Sequence, residues 1–454
     1  MPDPLMRDAL AAPRAVVRLP PAADTLPWAM AIGSAGLSRG GSIVVVPTAA
    51  RAAWLARQLQ HRGLPTVLLP DGWAGVAAGG VVAVGTRSAA WAPLARVGAG
   101  LVLDSHDEAL REERSPTWEA AVVLAERCDR DGAPCVRMSP CPTLEDLEWG
   151  TLFTISRADE RQGWPALEVI DRRESDPREG LLGPRIVNLV RDGGRVVCVV
   201  NRRGRAGMLT CGTCQAIATC ENCADAVSQD AGGGLHCSRC GADRPMVCLA
   251  CGSSRLKALR PGTTRLAEHL GALVGHPVPE LAGSEQAGEA GRDERVVMGT
   301  EAALRRAGRR DTVVFLDFDQ ELLAPRLRAA EQAFALLARA ARMVRGRGGR
   351  VIVQTRQPEH IVLEAARKSD PSLLVSSERA QRLELGLPPF SAMAEISGPG
   401  AADFVVGISG GATVASAPDR HLVRAPDTAT LCDALAAAPR PAARVRVEVD
   451  PRRI

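Results

Sequence analysis

The sequence predicts an α/β protein with two parallel-sheet lobes, a cysteine-rich insertion in the second lobe, and a small α+β domain at the carboxyl end. Three observations predict it. Short apolar runs alternate with amphipathic stretches through both halves, four C-x-x-C pairs crowd residues 211–251, and the breaker GLPP at 386–389 precedes a last stretch of short strand-like runs. Apolar strands alternating with helical crossovers are the signature of parallel sheets.

Taken in order, the first lobe is expected over residues 1–148. GSIVVVPTAARAAWLARQLQHRG (41–63) reads as a buried strand, a turn and an amphipathic helix, while 79–94 and 99–108 each begin with a further strand. The second lobe is expected over 149–206 and 254–376, with strands in 195–204, 295–308, 311–319 and 349–360. The cysteine module, 207–253, interrupts that lobe. The α+β domain is expected over 377–454, where AEISGPG, ADFVVGISG, HLVRAP and ARVRVEVDP read as short strands around a helix at 428–438.

Composition sets the outer limits. A chain of 454 residues can bury more than one core, and 46% apolar with 24% charged residues is an ordinary globular balance. Aromatics make up only 3%, with no Tyr, so the cores must be built from Ala, Val and Leu and few side chains could stack on bases. The net charge of +4 permits a nucleic-acid partner without requiring one. No apolar run reaches membrane-spanning length and the start, MPDPLMRDALAAPR, lacks a secretory core, so a cytoplasmic protein without a membrane partner is expected. In a reducing compartment, clustered cysteines serve as metal ligands or redox groups rather than disulfides.

The pairs are Cys211/Cys214, Cys220/Cys223, Cys237/Cys240 and Cys248/Cys251. Two residues between cysteines let both thiolates of one tight turn reach the same ion, and two such turns complete a tetrahedral sulfur shell. Eight cysteines fill two shells and leave no place for a catalytic water, so two structural zinc ions are expected. A redox pair would need only one C-x-x-C, and iron–sulfur spacings usually differ. Gly241 and Gly252, each directly after a pair, suit the positive φ such a turn asks for. Residues 224–236 and 241–247 hold too little apolar material for a core, so metal must supply the folding energy of this segment. Cys128, Cys135, Cys141, Cys198 and Cys432 have no matching spacing and are expected to be small buried hydrophobes.

The order of several motifs resembles one family. They are VGTRSAAWAPL (84–94), NRRGRAGMLTC (201–211), the four cysteine pairs, RPGTTRLAEHL (260–270), GGRVIVQTRQPEH (348–360), ERAQRLELGLPPFS (378–391) and RVRVEVDP (444–451). Together they resemble the PriA family of primosomal replication-restart proteins. The resemblance implies helicase-like (RecA-like) lobes. It also implies crosswise ligation: Cys211, Cys214, Cys248 and Cys251 would hold one Zn²⁺, and Cys220, Cys223, Cys237 and Cys240 the other. The implied partners are branched or forked DNA, primosome proteins, the replicative helicase loading machinery and single-strand-binding protein, the last met through the carboxyl-terminal domain. The family's amino-terminal DNA-binding domains are not expected in this chain.

Helicases of that kind need a phosphate loop, G-x-x-x-x-G-K-[ST], and the sequence contains none. Where the loop should lie, the chain reads VVRLPPAADTLPWAMAIGSAG (16–36). The acidic motif is reduced to Asp104, Ser105, His106 and Asp107, with Ser105 in place of the water-polarising Glu, and the arginine motif LLARAARMVRGRGGR (336–350) has lost its glycine–arginine spacing. A helicase-shaped protein with no catalytic residues of its own, and no ATP as cofactor, is therefore expected. DNA contact is assigned to Arg202, Arg203 and Arg205 beside the first cysteine pair, and to Arg339, Arg342 and Arg345 on one face of a helix, with Arg347 and Arg350 nearby.

Overall fold

The computed structural model describes residues 4–114, 117–174, 180–200, 209–214, 218, 220–221, 227–229, 234–236, 242–258, 262–281, 293–324, 326–417 and 420–452. The chain forms two compact units, one of Met1–Trp164, Pro325–Ala338 and Ile361–Ile454, the other of Pro165–Ala324 and Arg339–His360.

In the first unit, seven strands form one parallel sheet in the order Thr66–Leu68, Val81–Gly85, Gly41–Val45, Ala99–Leu103, Cys135–Ser139, Arg14–Arg18, Thr151–Thr154. Both faces are covered, so successive residues of a strand serve different cores. Val44 and Val82 pack with the helices Leu26–Leu37 and Ala49–His61, while Ile43, Val45 and Ala83 pack with the helix Ala120–Asp131. This two-sided burial is why the strands read as unbroken apolar runs. Thr151–Thr154, beyond the 148/149 boundary expected from the sequence, completes the edge of this sheet beside Arg14–Arg18.

The helix Leu26–Leu37 approaches the sheet closely at Gly33 and Gly36, where it carries no side chain. Ser42 donates its hydroxyl to the carbonyls of Ile32 and Gly33 at 3.0 Å each, and a Cβ at Gly36 would fall 2.1 Å from the Ser42 Oγ and 2.8 Å from the Ala99 nitrogen. Gly36→Ala is therefore expected to cost about 1–3 kcal/mol through overpacking, read as a lower midpoint in urea unfolding.

The second unit carries a six-stranded parallel sheet, ordered Ala166–Asp171, Arg350–Thr355, Thr312–Phe315, Val196–Val199, Val296–Gly299, Glu280–Leu281. Val196, Cys198, Val296, Met298 and Val314 pack on one side against the helices Pro184–Arg191 and Gly262–Val274. The cysteine module enters between two neighbours of this sheet, after Val196–Val199 and before Val296–Gly299, on a short antiparallel ribbon of Leu209–Cys211 with Leu256–Ala258. Four of the five unassigned cysteines, Cys128, Cys135, Cys141 and Cys198, are buried as expected; Cys432 is instead exposed on its helix.

The carboxyl-terminal α+β domain, part of the first unit, is a four-stranded antiparallel sheet ordered Thr413–Ala417, Arg420–Ala425, Ala392–Ser397, Arg446–Val449. Ala394, Ile396 and Val423 pack on the helices Ala401–Val406 and Thr428–Ala437. The ADFVVGISG segment is thus a helix and not the expected strand, because Ala401 and Phe404, three residues apart, bury one helical side between Gly400 and Gly407. A cluster of buried charges ties this domain to the rest of the unit. Arg328 reaches Glu145 at 2.6 Å and Asp450 at 2.8 Å, and Arg382 reaches Glu331, Glu378 and Glu145 at 2.5, 2.8 and 3.1 Å.

Among the described residues, no helix is long and apolar enough to cross a membrane.

Candidate functional site

Cys211, Cys214, Cys248 and Cys251 come together, with all four sulfurs within 4.8 Å of one another. The ribbon explains it: Cys211 ends one strand and Leu256 opens the other in register with it, so the first and last cysteine turns face each other. The Cys211 and Cys251 sulfurs are 3.5 Å apart, and those of Cys214 and Cys248 are 3.6 Å apart. A tetrahedron of thiolates around zinc at about 2.3 Å puts sulfurs about 3.8 Å apart, so these four residues fit one metal ion. The turns have the expected backbone. The Thr213 N–H donates to the Cys211 sulfur at 3.4 Å, the Gly252 N–H to the Cys248 carbonyl at 2.8 Å, and Gly252 has φ +71°.

The four thiols are not alike electrostatically. The N–H groups of Cys214 and Thr213 draw the Cys211 thiol down to about 6. The Ser253 N–H favours a thiolate at Cys251, but the neighbouring sulfurs of Cys214 and Cys211 outweigh it and push that thiol up to about 12. Four thiolates at this separation repel one another unless a metal lies between them. Of the other four cysteines, Cys220 is buried with Leu209, Ala218, Val227 and Leu235; Cys223, Cys237 and Cys240 lie outside the described residues, as does Gly241.

A second candidate region is the carboxyl edge of the first sheet. The loops after Arg14–Arg18, Ala99–Leu103 and Cys135–Ser139 leave three adjacent strands there, and such edges are where open α/β sheets hold ligands. The loop after Arg14–Arg18 runs Leu19–Thr25 into the helix Leu26–Leu37, the stretch where the sequence was expected to carry a phosphate loop. Pro20 and Pro21 carry no N–H. At the helix start the Asp24 carboxylate accepts the Leu26 N–H at 2.9 Å, and Arg51 donates to the Thr25 hydroxyl at 2.7 Å. A helix start attracts anions, and here the chain's own carboxylate sits on it. Arg18, at the end of its strand, is paired with the buried Glu160 at 2.9 Å.

The segment Asp104–Asp107 is tied into the fold. Asp104 has φ +54°, and Ser105 is buried and donates to Asp146 at 2.6 Å, which also holds Arg137 at 3.0 Å. His106 Nδ1 lies 2.7 Å from the Ser139 hydroxyl, and Asp107 accepts the Ala109 N–H at 3.0 Å. Ser105, expected from the sequence in place of a water-polarising Glu, therefore makes a hydrogen bond inside the lobe. Sequence reasoning missed Asp24, Asp146 and Glu160. For Asp24 a signal existed, because Asp-Thr-Leu-Pro before an apolar helix is a helix-start pattern; Ser105 and Arg18, which meet Asp146 and Glu160, are distant from them in the chain.

Arg202, Arg203 and Arg205 lie outside the described residues. Arg339 is half-buried and Arg342 exposed on the helix Ala329–Val344. Arg345 is not on that helix, contrary to the expected single face. The helix ends at Val344, and Arg345 turns into the left-handed region with φ +58°, followed by Gly346 at φ +69°.

No family profile matches the chain. The probable replication restart protein PriA of Mycobacterium leprae is 32% identical over 336 residues, covering 69% of this chain and 52% of that protein. The replication restart protein PriA of Bacillus subtilis is 25% identical over 374 residues, covering 75% of this chain and 46% of that protein. Among solved structures, Dbp5 of S. cerevisiae, bound to RNA and ADP BeF3, aligns with 84% of this chain and 92% of its own, at a TM-score of 0.45 and 13% identity. The chain spans about half the length of the curated relatives it matches. Over the matched residues it is a divergent relative of the PriA replication restart proteins.

Proposed function

We propose that the protein is a zinc-containing replication restart factor that binds abandoned or stalled forks and has no ATPase or helicase activity of its own. It promotes primosome assembly and reloading of the replicative helicase, with primosome proteins, the loading machinery and single-strand-binding protein as partners. The restart role is supported by the PriA relatives. One observation carries the loss of the motor. At the first sheet's carboxyl edge, Pro20, Pro21 and the Asp24 carboxylate stand where a nucleotide needs free N–H groups and a lysine. Catalysis of phosphoryl transfer is mostly positioning and charge neutralisation, and this edge offers a carboxylate to a polyanion. Cys211, Cys214, Cys248 and Cys251 hold one zinc, and Cys220, Cys223, Cys237 and Cys240 a second.

The test is ATP hydrolysis by metal-loaded protein with and without forked DNA, together with binding to a fork and to plain duplex of equal length. The expected result is no turnover above the blank and tighter binding to the fork. Fork-stimulated turnover lost on Asp104→Ala would restore a helicase with a divergent nucleotide site. Equal affinity for fork and duplex would remove fork recognition, and affinity indifferent to salt would leave a zinc-bearing scaffold that hardly touches DNA.

A further inference from the structure

The amino ends of the second sheet's strands carry a concentration of arginine that neither the metal site nor the degenerate nucleotide edge uses. Arg350, Thr312, Val196 and Val296 stand level across four adjacent strands. The turns leading into those strands, 192–195, 293–295, 307–311 and 345–350, contain seven arginines (Arg195, Arg295, Arg309, Arg310, Arg345, Arg347, Arg350) and four acids (Asp192, Asp293, Glu294, Asp311). The excess of positive charge on this one edge is nearly that of the whole chain, whose net charge is +4.

Part of the cluster is structural. Arg310 is 1% exposed and donates to the Glu294 carbonyl, and the Asp311 carboxylate accepts the Arg195 N–H at 2.9 Å. Arg195 and Arg295 are half-buried, and the acids Asp192, Asp293, Glu294 and Asp311 are exposed beside them. Arg309, Arg345 and Arg347 are exposed and form no ion pair with any described residue. Arg345 is held at φ +58°, where a residue with a Cβ is strained, although Gly would fit without strain.

We propose that this amino edge is a phosphate-backbone contact, taking a duplex arm of DNA. The inference rests on the fork-binding reading above and adds where the arm lies. Four strands spaced about 4.8 Å apart present a row about 15 Å long. The phosphates of one B-DNA strand wind around the helix axis, so a row of this length faces only a few of them. The contact is indifferent to sequence, as guanidinium–phosphate contacts are. It lies on the edge opposite to the carboxyl ends where open α/β sheets usually bind ligands, so the two can be occupied independently.

The experiment measures binding of labelled fork and labelled blunt duplex across about 50 to 200 mM salt. The proteins compared are wild type, Arg309→Ala/Arg345→Gly/Arg347→Ala, and the same three positions changed to Lys. Each lost phosphate contact lowers the slope of log affinity against log salt by about 0.9, so the alanine–glycine variant should be flatter by about 2.7 and the lysine variant unchanged. Arg345→Gly alone should be flatter by about 0.9 with an equal or higher melting temperature, which separates contact from folding. If wild type prefers forks and the triple variant keeps the full slope, the edge is not the contact and the fork reading stands. If fork and duplex bind alike but the variant flattens both, the edge stands and fork preference falls. Absence of salt-dependent binding by wild type overturns both.

Discussion

Replacing Cys248 with alanine should release one metal ion per chain and open the 205–255 segment to proteases. The expectation follows from how little else holds that segment. Its apolar cluster among the described residues is Leu209, Ala218, Cys220, Val227 and Leu235, with Ala242, Met246 and Leu256 at its margin. Such a cluster cannot offset the chain entropy of about 1–2 kcal/mol per ordered residue. Structural zinc in comparable small modules supplies about 10–16 kcal/mol, comparable to an ordinary domain's whole stability of about 5–15 kcal/mol. Metal content per chain and mapping of the protease cuts read the effect directly. Cys198→Ala is the control, since Cys198 is a buried strand residue outside the cluster, and it should leave the metal content unchanged. A chelator that strips the ions without raising cutting in this segment would show that metal does not fold it.

Why the metal cluster was legible and its surroundings were not comes down to the range of the interactions. C-x-x-C spacing is local chemistry, so the ligand pairs can be read directly; which pairs share an ion depends on the Leu209–Cys211 ribbon finding Leu256–Ala258, and spacing does not specify that. The strands Gly41–Val45, Val81–Gly85 and Ala99–Leu103 are apolar runs bordered by glycine or turns, and they were expected. Arg14–Arg18 was not, because only Ala15, Val16 and Val17 separate its two arginines. Those charges are tolerable at a strand's ends because Arg14 meets Asp129 at 2.6 Å and Arg18 meets Glu160 at 2.9 Å, and neither partner is near in sequence. Arg345 fell off its helix face for a local reason that could have been weighed: Gly346, Gly348 and Gly349 follow it, and a glycine-rich end stops a helix.

Arg382→Met should destabilise the first unit by about 3–5 kcal/mol, the cost of leaving a buried charge uncompensated. Arg382 is 1% exposed and is shared by Glu378, four residues earlier on the helix Pro371–Glu384, by Glu331 and by Glu145. The i, i+4 Glu378/Arg382 pair is visible in the sequence; that it is buried is not. The pH dependence tests the charge explanation against simple loss of packing. Burial works against ionised Glu145, but Arg328 and Arg382 outweigh it and hold its carboxyl down at about 2. A carboxyl depressed below its unfolded value of about 4.3 contributes stability that is full above that value and is lost as pH falls toward the folded one. Wild type should therefore weaken between these two values. Glu331 behaves oppositely: burial and the nearby Glu145 charge raise its carboxyl, against the pull of Arg382. Without Arg382 that ionised carboxylate keeps Arg328 and the Leu144 N–H as partners, so protonating it relieves the variant. The gap between variant and wild type should be largest near neutral pH and shrink as pH falls toward the unfolded carboxyl range, measured by urea unfolding at several pH values. A gap independent of pH would assign the loss to packing of the Arg382 stem, and the ion cluster would then contribute geometry without net stability.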